Sequence, residues 1–217
     1  MSENRKFSVL MSVYVKENPV FLEEAVESII HQTLKPSEVV IVEDGPLTPE
    51  LYQVLEKLEA QSSIPIKRCP LEQNRGLGLA LQYGVLQCQY DVIARMDTDD
   101  IAVEDRFEQQ FELMEKENLD LLGGHIAEFI DQPDEIVSYR RVPTKHEDII
   151  AYQRMRSAFN HMTVMFKKEM VLKAGNYEDG LYMEDDLLWL NMISAGARTG
   201  NVDQILCKVR VGAGMFE

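Results

Sequence analysis

The sequence predicts an α/β fold built on a mixed, mostly parallel central sheet flanked by helices, and three observations lead there. Over the first two-thirds of the chain, short β-branched apolar runs alternate with segments of helical period, the pattern of strand–helix–strand units. Runs such as Val39 to Val42 are apolar at consecutive positions, as strands covered on both faces are. Two of the strands lead into carboxylate-rich turns, Glu43-Asp44-Gly45-Pro46 and Asp97-Thr98-Asp99-Asp100, at the carboxyl ends where open α/β sheets bind ligands.

In chain order, Phe7 to Val13 reads as a strand, and Phe21 to Gln32 as a helix with Leu22, Ala25, Val26, Ile29 and Ile30 on one stripe. Lys35-Pro36-Ser37 stops that helix before the Val39 to Val42 strand. A helix from Pro49, where proline suits the first turn, runs to Ala60. A strand at Ile66 to Cys69 precedes a helix from Gly76 to Gln87. A strand at Asp91 to Met96 precedes a charged amphipathic helix from Val103 to Asn118, and Leu119 to Ala127 is a strand. From Asp131 the texture changes. Gln132-Pro133-Asp134 reads as a turn, Ile136 to Val142 as a strand and Glu147 to Met155 as a helix. Thr163 to Phe166 reads as a buried strand and Lys168 to Ala174 as a short helix ended by Gly175. Glu184 to Ala195 is a helix with Gly196 at its C-terminal side, and Ile205 to Val211 a last strand. The second part is too short to fold alone. The expectation is therefore one domain over residues 1–217, with 1–130 and 131–217 as its two regions.

The chain has 217 residues, with 37 Asp and Glu against 22 Lys and Arg, for a net charge of −15. Its 45% hydrophobic content is too high for a disordered acidic chain. A pI near 4.7 opposes binding to nucleic acid or an anionic bilayer by net charge, so any basic patch has to be local and small. Cys69, Cys88 and Cys207 are scattered and lack metal-site spacing, which reads as reduced thiols. The first apolar run soon meets Lys16 and Glu17, unlike a secretory signal. No apolar run reaches the roughly 18 residues of a spanning helix, so a cytoplasmic protein is expected.

The Asp97-Thr98-Asp99-Asp100 cluster points to chemistry. Two unit charges about 4 Å apart at an effective dielectric near 20 repel by roughly 4 kcal/mol unless a proton or cation intervenes. Carboxylates without His or Cys beside them select hard ions, Mg²⁺ or Mn²⁺, which keep positions open for phosphate oxygens. Turn chemistry and helix capping explain Asp44 equally well. Asn74-Arg75-Gly76-Leu77-Gly78 opens a helix whose N-terminus suits an anion, and close packing at the two glycines explains it at least as well. Glu184-Asp185-Asp186 begins a helix whose dipole favours carboxylates there. The dipole keeps them ionised while lowering their basicity.

Six segments taken in order resemble glycosyltransferase family 2: SVLMSVY from Ser8, EVVIVEDGP from Glu38, NRGLGLALQYG from Asn74, ARMDTDD from Ala94, NHMTVMFKKEMVLKAGNY from Asn160 and EDDLLWL from Glu184. The resemblance covers nearly the whole chain and implies the Rossmann-like GT-A fold of a bacterial catalytic domain. It implies that residues 1–130 bind the nucleotide-sugar and that 131–217 form the acceptor side, with Val13 and Tyr14 lining the base and Asp44 accepting its N3–H, a contact that favours uracil or thymine. Arg75 falls near the nucleotide pocket. Asp97 and Asp99 form the DxD motif, with Asp99 as the direct metal ligand and Asp97 reaching the ribose or the metal, Mg²⁺ or Mn²⁺. Asp185 matches the catalytic base of inverting members. Glu184 and His161 fall on the acceptor side, where a satisfied core histidine fits His161 equally well. The implied reaction moves a sugar, from a UDP-sugar above all, to a saccharide or lipid-linked hydroxyl in cell-surface polysaccharide synthesis, at or near the inner face of the membrane.

Departures from the family pattern are local. The usual VDDGS reads Val42-Glu43-Asp44-Gly45-Pro46, and the common EDYDLW reads Glu184-Asp185-Asp186-Leu187-Leu188-Trp189. Family members usually continue beyond Met215-Phe216-Glu217, so a trimmed chain or a short member is expected. Two alternatives compete: a sugar-phosphate nucleotidyltransferase, which usually carries a Gly-rich loop where this chain has Tyr14-Val15-Lys16-Glu17, and a non-catalytic nucleotide-sugar-binding module.

Overall fold

A computed structural model describes residues 5–179 and 183–212. The extreme N-terminal residues and Met215-Phe216-Glu217 lie outside the described residues. Four strands, β1 (Ser8–Val13), β2 (Glu38–Glu43), β3 (Ile66–Pro70) and β4 (Val92–Arg95), pair in parallel in the order β3-β2-β1-β4. They are joined through the helices α1 (Pro19–Ile30), α2 (Pro49–Gln61) and α3 (Leu77–Gln87). The period of two explains why both faces are covered. Val9, Met11, Val39 and Ile41 pack with Leu22, Val26, Leu51 and Leu55 of α1 and α2. Leu10, Val40 and Val42 pack with Ala80, Leu81 and Val85 of α3 on the other face. Gly84 lets α3 lie close, since a Cβ there would stand 2.4 Å from Leu10 Cδ1.

The second half adds β5 (Ile101–Ala102), α4 (Arg106–Glu117), β6 (Leu121–Phe129), β7 (Ile136–Arg140), α5 (His146–Gln153), β8 (Met165–Lys167), α6 (Lys168–Lys173), α7 (Glu184–Ser194) and β9 (Thr199–Arg210). The sheet continues from β4 through β8, β6 and β9 to β5, with β7 on β6; β6 and β9 are parallel, the other pairs antiparallel. β5 follows β4 by one short turn yet stands four strands away in the sheet. A flat sheet would separate them by about 19 Å, nearly the full reach of an extended connection of that length. The sheet therefore curls. Arg106 closes the curl, its Nη1 reaching Met96 Sδ (3.1 Å) beyond β4 and Cys207 Sγ (3.3 Å) on β9.

The structure departs from the sequence reading in four places. The last strand begins at Thr199, because Thr199 and Asn201 are polar yet buried, and Asn201 Nδ2 donates to the carbonyls of Pro143 and Ala158. β5, two residues long, is too short to leave a period. The charged helix starts at Arg106 instead of Val103 and ends at Asn118 in the left-handed conformation (φ 50°). The expected strand at Thr163 to Phe166 divides into a 3₁₀ turn, His161–Thr163, and β8. Cys69, Cys88 and Cys207 are free and buried. No helix among the described residues is long and apolar enough to cross a membrane.

Candidate active site

The carboxyl ends of β1, β2 and β4 open onto one cleft of about 550 Å³, lined by Ser12, Tyr14, Glu17, Asp44, Asn74, Leu77, Asp97 and Asp99 among others. A larger hollow of about 710 Å³ lies elsewhere, among α4, the start of α5 and β9. It mixes Lys145 and Arg198 with Glu147 and Asp203 and holds none of the residues singled out above, so chemistry and not size locates the site.

Asp44 is buried after β2 and holds the turn that leads into α3. Its Oδ1 accepts the Arg75 backbone N–H (2.7 Å) and its Oδ2 that of Gly76 (3.0 Å). Asp44 thus serves turn structure, as the turn-chemistry reading expected, and it also lines the cleft with acceptor capacity left on each oxygen. Gly45 makes the approach possible: its φ is +85°, and a Cβ there would stand 2.5 Å from the Asn74 backbone nitrogen. The two glycines of the following turn differ. Gly76 has φ +87° and open space around it, so backbone conformation requires it. Gly78 has no such φ but packs tightly, a Cβ there meeting the Glu178 carbonyl at 2.8 Å and Glu184 Cβ at 3.4 Å. The start of α3 therefore touches both Asp44 and the segment carrying Glu184.

After β4, Asp97 forms a two-point ion pair with Arg95, a buried guanidinium. Thr98 Oγ1 donates to the Ser12 carbonyl (3.3 Å), tying the turn to β1. Burial, and then the charge of Asp97, raise Asp99 above the ordinary carboxylate range. Asp100 is buried; its Oδ1 accepts the Arg210 backbone N–H (2.9 Å), and burial with Asp97 and Asp99 pushes it well up. Glu17 faces the same turn, and burial followed by the Asp99 charge pushes its carboxyl up to about 7.

Asp185 stands in the first turn of α7, where burial raises it above the usual carboxylate range. Desolvation outweighs the helix dipole, so its basicity rises where the dipole alone would lower it. Its Oδ2 lies 3.9 Å from His161 Nδ1, and His161 Nε2 shares a 3.0 Å hydrogen bond with the Tyr177 hydroxyl. Burial, aided by Arg95, pushes His161 well below its ordinary value, so the ring is neutral and this contact is no ion pair. Trp189 stacks edge-on against His161 (5.8 Å).

The cleft thus unites Tyr14, Asp44, Asp97 and Asp99. The Val13 side chain is buried in the core, and its carbonyl accepts the Asp44 backbone N–H (2.8 Å). Arg75 is exposed, and its backbone instead of its guanidinium meets Asp44. Sequence reasoning missed Arg95 and Glu17. Arg95 sits in an apolar strand pattern, yet its charge acts on Asp97, Asp185 and His161 together, and its Nε has no hydrogen-bond partner among the described residues. Glu17 carries no motif; the crowding of carboxylates appears only when β1 and β4 come together.

The donor set fits a hard divalent cation in part. Glu17 is made less acidic by burial and the Asp99 charge, and Asp99 by burial and the Asp97 charge, a crowding that a bound cation relieves. Among the described residues no three His, Cys, Asp or Glu side chains form a complete metal group. A cation here would draw its remaining ligands from water and phosphate oxygens, as Mg²⁺ usually does.

Such a cleft, at the carboxyl ends of a curled α/β sheet and followed by a Glu-Asp pair, defines a glycosyltransferase of the GT-A fold. Residues 8–175 match the family model "Glycosyl transferase family 2", and the chain belongs to that family. It is 47% identical to an uncharacterized glycosyltransferase of Haemophilus influenzae, covering 97% of this chain and 78% of that protein. It is 43% identical to the amylovoran biosynthesis glycosyltransferase AmsE of Erwinia amylovora (96% and 77% covered). It is 38% identical to the UDP-Gal:alpha-D-GlcNAc-diphosphoundecaprenol beta-1,3-galactosyltransferase of Escherichia coli (94% and 74% covered). The solved mannosyltransferase PcManGT from Pyrobaculum calidifontis, in complex with GDP-Man and Mn²⁺, superposes with a TM-score of 0.73 at 15% identity, over 97% of this chain and 58% of that one. The protein is therefore a glycosyltransferase with homologues in polysaccharide synthesis, and the nucleotidyltransferase alternative falls away.

Proposed function

We propose that this glycosyltransferase is metal-dependent and inverting, moving a sugar from a UDP-sugar to a hydroxyl of a saccharide or lipid-linked acceptor in cell-surface polysaccharide synthesis. The observation that supports it most is the meeting of Tyr14, Asp44, Asp97 and Asp99 in one cleft. In this reading residues 1–130 bind the donor and 131–217 face the acceptor. Tyr14 lies along the base and Asp44 accepts its N3–H, with Val13 and Arg75 fixing Asp44 through their backbones. Asp99, with Asp97 or Glu17 beside it, holds Mg²⁺ or Mn²⁺, which when bound supplies Lewis-acid stabilisation of the diphosphate.

Asp185 takes the proton of the acceptor hydroxyl while that oxygen forms a bond to the anomeric carbon. The bond from that carbon to the diphosphate oxygen breaks on the opposite face, so the configuration inverts. Its raised pKa makes Asp185 a better proton acceptor than an exposed aspartate. Neutral His161, held by Tyr177, and Glu184 border the acceptor. Alignment of the two substrates supplies much of the remaining acceleration.

The test is transfer from a panel of UDP-sugars to a mixed saccharide and lipid-linked acceptor pool with Mn²⁺, the new linkage read by proton NMR. An α-linked donor giving a β-linked product supports the reading. Retention of configuration, or transfer undiminished by chelation, contradicts it.

A further inference from the structure

We infer that the surface formed by the end of β7 and the C-terminal end of α5 docks on an anionic phospholipid bilayer and so holds the acceptor side of the site at the membrane. Between Tyr139 and Arg156 the chain carries five cations, Arg140, Arg141, Lys145, Arg154 and Arg156, against two carboxylates, Glu147 and Asp148, in a protein of net charge −15. All five cations are exposed. None forms an ion pair among the described residues, so no neighbouring carboxylate cancels these charges.

Apolar side chains stand among these cations. Met155 is 89% exposed and Tyr139 59%. The two ends of this segment meet in space, while Lys145 stands apart on the larger hollow at the start of α5: Arg140 Nη2 donates to the Ser157 carbonyl (3.3 Å), and Tyr152, Met155 and Arg156 line one shallow hollow with Pro143. Asp148 shares that hollow and is its one acidic member. An aromatic ring, a flexible thioether and arginines whose stems lie on apolar surface while their charges reach phosphate suit the bilayer interface. Each interfacial Arg or Lys strengthens attachment to an anionic leaflet about fivefold, and at about 0.1 M salt the roughly 10 Å Debye length limits repulsion from the rest of the acidic protein.

The patch also adjoins the chemistry. Gln153, between Tyr152 and Arg154, donates to Asp186 Oδ1 (2.8 Å) and accepts the Ala158 N–H (2.8 Å), so the end of α5 is fixed to the residue after Asp185. The inference rests on the proposed acceptor class, because a lipid-linked acceptor is presented at a membrane surface.

The experiment is cosedimentation of the chain with vesicles of phosphatidylcholine alone and of phosphatidylcholine with phosphatidylglycerol, at low and high salt. Binding is expected only to the anionic vesicles and at low salt. The double variant Arg154→Gln, Arg156→Gln is expected to lower the partition about 30-fold, with circular dichroism and nucleotide binding unchanged. Absence of binding, equal binding to neutral vesicles, or equal binding by the double variant overturns the inference. Transfer to a water-soluble saccharide by a chain that binds no vesicle overturns the docking surface alone. Vesicle binding by a chain that transfers no sugar leaves the surface standing and contradicts the proposed function.

Discussion

Arg95, buried at the end of β4, holds both carboxylate oxygens of Asp97, so the first aspartate of Asp97-Thr98-Asp99 has a cationic side-chain partner while the second has none among the described residues. The two aspartates are thus chemically distinct, and Asp99 is left as the group in need of a cation. Removing Asp97 strands a buried guanidinium. Asp97→Ala is expected to cost about 3 kcal/mol of stability in urea unfolding, the low end for a buried pair because Asp97 is partly exposed. A loss below about 1 kcal/mol would mean that other groups satisfy Arg95.

The proton acceptor is separable from donor binding. Asp185→Asn is expected to lower kcat between about 10²- and 10⁴-fold while leaving the affinity for nucleotide unchanged. With Asp185 as the proposed base, activity is expected to fall as pH drops and Asp185 protonates, with a midpoint above the ordinary aspartate value because burial raises it. His161 is neutral throughout, so His161→Asn is expected to leave that acid limb where it is. A limb that disappears with the histidine would transfer the role of base to His161.

Glu17, its carboxyl pushed up to about 7, is expected to make binding of the proposed cation depend on pH near neutrality. The ionised form attracts the cation, so Mn²⁺ affinity is expected to rise with pH through 7 and to flatten in Glu17→Gln. Stability runs the other way: a carboxyl raised on folding favours the folded state at low pH, and that contribution is lost as pH climbs from its unfolded value of about 4.5 through about 7. Thermal unfolding of Glu17→Gln without metal should show less decline across that window. An unchanged decline would place the proton elsewhere.

Two glycines with similar φ separate strain from collision. Gly76→Ala meets open space and is expected to cost about 1 to 3 kcal/mol from backbone conformation alone, because φ 87° with ψ 159° is a region essentially reserved for glycine. Gly45→Ala adds a Cβ 2.5 Å from the Asn74 nitrogen, so it is expected to cost more and to weaken nucleotide binding by displacing the start of α3 from Asp44. Equal unfolding midpoints for the two variants would contradict this.

The strands that position the donor cleft were legible because their apolar runs alternate between two covered faces, Val9 and Met11 to one side and Leu10 to the other. Asp44, Asp97 and Asp99 were legible because polar residues end those strands. Thr199 to Asn201 was not, since the partners of this buried polar strand segment, His146 for Thr199 and the Pro143 and Ala158 carbonyls for Asn201 Nδ2, are distant in sequence and no local pattern encodes them. Arg95 was hidden for a related reason: a charged residue in a buried strand makes sense only once its partner folds over it. Glu17 required the pairing of β1 with β4, and the basic patch required the end of β7 to meet the chain after α5, as the Arg140 contact to Ser157 shows.

The most direct measurement is calorimetric titration of UDP into the wild-type chain and Asp99→Ala, each with Mn²⁺ and with a chelator. The account predicts binding that requires Mn²⁺ in the wild type and is lost in the variant. UDP affinity that is equal in all four titrations would contradict a metal-assisted nucleotide-sugar site at Asp99.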